Sequence, residues 1–205
     1  MRIAAMATMA VLAGMAAQAQ GKARLDEAQP GKAEPGNPAR VTVCIQGLAD
    51  FSLMARAQGI ATNMFKGVGV KIAWHEMSGC PAQAILISMS EHAPASFHPG
   101  AMAYAMPYEG AHIVLFHDRI AATGKALLPH LMAHVMVHEI THILQGVDRH
   151  SEEGVMKAHF GQEDFDRMIV KSLEFTPGDV EMIQSGLLAR EAHRNTAEPK
   201  LVGAQ

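Results

Sequence analysis

The hydrophobic patterning of this chain predicts one α+β domain, a mixed β-sheet packed on a buried helix. Short alternating apolar runs are concentrated between residues 41 and 117, as strands require. One segment, residues 127–145, is apolar on nearly every side, which describes a helix buried under a sheet. The strand-type runs largely precede the helix-type runs instead of alternating with them, and that order separates α+β from α/β architectures.

The chain has 205 residues and opens with Arg2, an apolar run from Ile3 to Ala17 and the small-x-small triplet Ala17-Gln18-Ala19. These are the basic, apolar and cleavage regions of an export signal, residues 1–19. The run is shorter than the ~20 residues of a spanning helix, so no stable membrane insertion is expected after cleavage. Residues 20–40 hold three prolines and three glycines with almost nothing apolar, the composition of a flexible linker. The domain proper is expected over 41–194, with a frayed tail at 195–205.

"VTVCIQ" (41–46) alternates as a strand with Val41, Val43 and Ile45 on one face. From Ser52 to Lys66, Leu53, Ala57, Ile60, Ala61, Met64 and Phe65 recur every three or four residues, an amphipathic helix ending at Gly67. "VKIAWHEM" (70–77) and "AILISM" (84–89) read as strands, making the opening unit a right-handed strand-helix-strand crossover. The turn-rich "SEHAPASFHPG" then leads to short strands at 101–106 and 111–117. Pro129 suits the first turn of the buried helix and Gly146 its stop. Thr176, with Asp179 three residues on, caps a last helix whose Val180, Ile183 and Leu187 face inward.

Without the signal the formal charge moves from −3 to −4 by loss of Arg2, and no basic run or aromatic-basic stripe occurs, so no nucleic-acid partner is expected. Cys44 and Cys80 would form a disulfide in an oxidising compartment or stay as two buried thiols; the sequence leaves both open. The 15 methionines read as gap-filling core residues, apart from four in the signal.

Chemistry concentrates in "HEITHILQGVDRHSEEGVM", residues 138–156. On a helix, His138 and His142 differ by about 40° in direction and about 6 Å in height, so both imidazoles reach one ion. Glu139 projects between them and to one side, where a carboxylate can take a proton from water without filling a coordination position. That is the H-E-x-x-H pattern of zinc hydrolases. His130 and His134 extend the spacing but have no acid between them, and are read as hydrogen-bonded core residues.

Over about 20 residues this stretch resembles the metzincin zinc peptidases, above all their matrixin-like members, through His138, Glu139, His142, Gly146, His150-Ser151 and Met156. The resemblance implies a zincin-type fold, Zn2+ as cofactor, His138, His142 and His150 as ligands, Glu139 as catalytic general base, and Met156 in a turn beneath the ion. The spacing departs from that pattern: Gly146 lies four and His150 eight residues after His142, where the family has three and six, and Asp148 stands at the usual third-ligand position. His150 is the expected ligand because a serine follows it as in matrixins and the longer loop absorbs two residues; Asp148 is the alternative. No tyrosine follows Met156, which leaves Arg149 or His159 for stabilising the transition state.

The expected function is an exported, monomeric zinc endopeptidase, periplasmic or extracellular, acting on peptide or protein substrates. Glu139 would take a proton from water and return it to the leaving amine, and an exposed strand within 101–117 would hold the extended substrate. The alternatives are a zinc-binding envelope or extracellular module without turnover and a metal-free structural protein.

Overall fold

The computed structural model describes residues 38–47, 50–109 and 111–197; the expected signal and most of the expected linker lie outside them. Strand β1 (Ala39–Gln46) begins two residues before the expected start and is an interior strand of a five-stranded sheet. Asp50 then starts helix α1 (Phe51–Lys66), its Oδ1 accepting from the backbone N–H groups of Ser52 (2.8 Å) and Leu53 (3.1 Å). The helix buries Met54, Ala57, Ala61, Met64 and Phe65, returning the chain to the sheet as β2 (Val70–Glu76), parallel to β1.

Strand β3 (Ile85–Ser90) lies parallel on the other side of β1, followed outward by parallel β5 (His112–Phe116) and antiparallel β4 (Ala103–Ala105). The order β2-β1-β3-β5-β4 makes a mixed, mostly parallel sheet with β4 on one edge. Cys44 and Cys80 are joined in a disulfide with Cα atoms 5.9 Å apart, tying β1 to the loop before β3.

Helix α3 (Leu128–Gln145) is buried along almost its whole length, and Leu131, Met132, Met136, Ile140 and Ile143 are within 2% of complete burial. Each such side chain contributes about 1.5–3 kcal/mol over an exposed one. Gly146 ends the helix in a left-handed conformation at φ 70°, its N–H returning to the His142 carbonyl at 2.9 Å.

Two short helices lie outside the sequence expectations. The apolar run of β5 passes directly into α2 (His117–Ala121), so the strand ends one residue earlier than expected. Helix α4 (Gln162–Val170) buries only Asp164 and Met168, too few positions for a periodic signal. Helix α5 (Pro177–Ala197) has the expected Thr176–Asp179 cap and extends through 195–197, where a frayed tail was expected. It packs on α3 so closely at Gly186 that an added Cβ would lie 1.7 Å from the Leu144 carbonyl oxygen. No helix among the described residues is long and apolar enough to cross a membrane.

Candidate metal centre

His138, Glu139 and His142 project from the buried face of α3, and His150 comes from the chain that turns back after Gly146. One ligand atom from each histidine lies within 4.8 Å of those of the other two. The His150 ring centroid is 5.2 Å from that of His138 and 5.0 Å from that of His142. Both α3 histidines are buried while His150 is exposed, so the cluster opens to solvent on the loop side.

The tautomers follow from the backbone. His138 Nδ1–H donates to the Val155 carbonyl at 2.9 Å and His142 Nδ1–H to the Val147 carbonyl at 3.1 Å. Each Nε2 therefore carries a lone pair, and the two Nε2 atoms face each other at 3.0 Å. Two acceptors without a proton between them repel, and a cation in that volume removes the conflict; tetrahedral zinc with bonds of about 2.0–2.1 Å sets neighbouring nitrogens roughly 3.3 Å apart. The donor set, with its outer nitrogens tied to carbonyls, fits zinc.

Burial drives the electrostatics. It lowers the pKa of His138 to about 3, with the charge of His142 adding to the effect, and it also lowers that of His142, so both rings stay neutral and available as ligands. Burial raises Glu139 to about 8, reinforced by the negative charge of Asp148. A carboxylate in this position needs a nearby cation to ionise at neutral pH.

Beneath His138 the chain forms a tight turn. Ser151 N–H donates to the Met156 carbonyl at 2.7 Å, Met156 is fully buried, and Val155 N–H donates to the Glu174 carbonyl at 2.9 Å. Gly154, at φ 76°, leaves no room for a side chain: a Cβ would lie 2.3 Å from the Glu174 carbonyl oxygen.

The remaining candidates are not among the three clustered ligands. His134 is a core residue, its Nδ1–H donating to the His130 carbonyl (2.7 Å) and its Nε2 accepting from Leu173 N–H (3.0 Å). Asp148 is exposed and stands apart from the three-histidine group, although its charge reaches Glu139. Arg149 turns to Asp179 at 3.2 Å, and the His159 ring lies 5.8 Å from that of His98. Sequence reasoning missed the carbonyls of Val147 and Val155, which carry no residue-type signal. It found Asp179 only as a helix cap.

No protein-family model and no curated protein matches the chain. Among solved structures, the archaemetzincin of Methanopyrus kandleri aligns with a TM-score of 0.51 at 15% identity, covering 76% of this chain and 99% of that one. The archaemetzincin of Archaeoglobus fulgidus, complexed with malonate, gives 0.49 at 15% identity over 70% and 99% of the two chains. Myroilysin gives 0.37 at 13% identity over 70% and 72%. A five-stranded, mostly parallel sheet with its helices, similar in fold to an archaemetzincin, is the framework that holds the three histidines together.

Proposed function

We propose that this chain is an exported, metzincin-like zinc endopeptidase in which His138, His142 and His150 hold the ion and Glu139 is the general base. One observation carries the reading: two buried imidazoles present facing Nε2 lone pairs 3.0 Å apart, with a third imidazole beside them and a buried carboxylate next in sequence. Zinc bound there would supply a Lewis acid that polarises a carbonyl and makes water acidic. The residues of the chain do the rest. Val147 and Val155 aim the rings through their Nδ1 protons, and Glu139 accepts a proton from water and hands it to the leaving amine.

Among the described residues, β4 has a strand partner on one side only, which suits it to pairing with an extended peptide through backbone hydrogen bonds. Disulfides persist in oxidising compartments, and the Cys44–Cys80 bridge supports export.

The test is hydrolysis of a generic protein substrate by the zinc-loaded chain. Chelation abolishes it; Glu139→Gln keeps zinc and loses at least about 100-fold in rate. His150→Ala releases zinc and activity, while Asp148→Ala keeps zinc and costs far less. Cleavage that survives Glu139→Gln overturns the mechanism, and the reverse ranking of the last two variants makes Asp148 the ligand. One zinc per chain with no cleavage of any peptide library identifies a binding module instead.

A further inference from the structure

The carboxylate of Asp179 is fully buried and its two oxygens have different work. Oδ2 serves its own helix: it accepts from Thr176 N–H (3.0 Å) and Oγ1 (2.7 Å), closing the cap of α5. Oδ1 leaves the helix altogether and accepts from Ser151 Oγ at 2.6 Å and Arg149 Nη1 at 3.2 Å. Those two residues flank His150. The backbone of Asp179 is also anchored, because Gln145 Nε2 on the last turn of α3 donates to its carbonyl at 3.3 Å. Gly186 locks α5 against Leu144 further along.

We propose that Asp179 is a positioning residue for the third ligand, fixing the loop that carries His150 relative to the helix that carries His138 and His142. This rests on the zinc-site reading above. His138 and His142 are held by helix packing, but His150 is exposed and its place depends on what holds its neighbours. Ser151 and Arg149 cross to one buried oxygen on an element bolted to α3, so the loop is pinned on both sides of the ligand. A cap alone would need neither contact, since Thr176 already occupies Oδ2.

The experiment measures zinc affinity by chelator competition and the visible spectrum of the cobalt-substituted chain, alongside thermal unfolding of the metal-free chain. Two variants are compared with wild type: Asp179→Asn, and the double variant Ser151→Ala/Arg149→Met, which leaves the Thr176–Asp179 cap intact. The expected result is a 10- to 100-fold loss of zinc affinity in both and an altered cobalt spectrum, measured well below the unfolding temperature of each variant, which falls in both because each leaves buried polar groups of the Asp179 cluster unpaired. A residue that only caps α5 would lower the unfolding temperature in Asp179→Asn and leave affinity and spectrum of the double variant unchanged. That outcome overturns the proposal, as does wild-type affinity in both variants. Wild-type chain that takes up no zinc overturns the site itself, and is recognised before any variant is made.

Discussion

His134 illustrates how a single residue in this helix acts through what it cannot do. Both of its ring nitrogens are engaged with the backbone, and burial, with a smaller contribution from the charge of His130, lowers its pKa from the ordinary 6.5 to about 4. A proton on Nε2 would replace the acceptor that Leu173 N–H needs. Between about pH 6.5 and 4 the unfolded chain therefore binds the proton that the folded chain refuses, and stability falls as pH falls through that window. It is fully present above about 6.5, and the total loss is about 3 kcal/mol. Urea unfolding of the metal-free chain at several pH values checks this: His134→Gln should lose that part of the acid dependence while costing stability at pH 7. Identical pH slopes in the two proteins would remove His134 from the account.

At the scale of elements, the glycines of the helices separate packing from propensity. Gly186 faces the Leu144 carbonyl with no space for a methyl group, whereas Gly59 in α1 has no atom within 4 Å of an added Cβ. Gly186→Ala must push α5 away from α3 and should cost about 2 kcal/mol or more. Gly59→Ala adds no clash and removes backbone freedom from the unfolded chain, so it should gain about 0.5–1 kcal/mol. Thermal melts of the two variants moving in opposite directions verify the assignment, and a neutral Gly186→Ala would contradict the close helix approach. Helix α5 matters beyond its own stability, since its first turn carries Asp179.

At the largest scale, the described residues form a sheet and a set of helices joined by the Cys44–Cys80 disulfide. Cys44 and Cys80 are separated by 36 positions, and loop-closure entropy assigns their bridge about 3–4 kcal/mol. The Cys44→Ala/Cys80→Ala double variant should lose stability of that order in denaturant titrations, and an unchanged midpoint would show that the sheet holds β1 and the following loop without help. How much of this architecture was legible beforehand differs by element. The β1-α1-β2 unit, β3, α3 and the α5 cap follow from periodicity and capping residues, because their signals lie within a few neighbouring positions. So do His138, Glu139 and His142, since helical geometry alone brings side chains at i and i+4 together. Helices α2 and α4 left too little periodic apolar surface to be read. The cysteine pairing stayed open because sequence distance says nothing about whether two Cα atoms come within bonding range. Spacing alone points to Asp148 as third ligand, while the serine after His150 and the longer loop point to His150. The meeting of His150 with the other two imidazoles, the carbonyls of Val147 and Val155 that orient them, and the reach of Asp179 across to Arg149 and Ser151 all came from the tertiary structure. Each depends on where the chain returns after Gly146, which is decided by packing between segments distant in sequence.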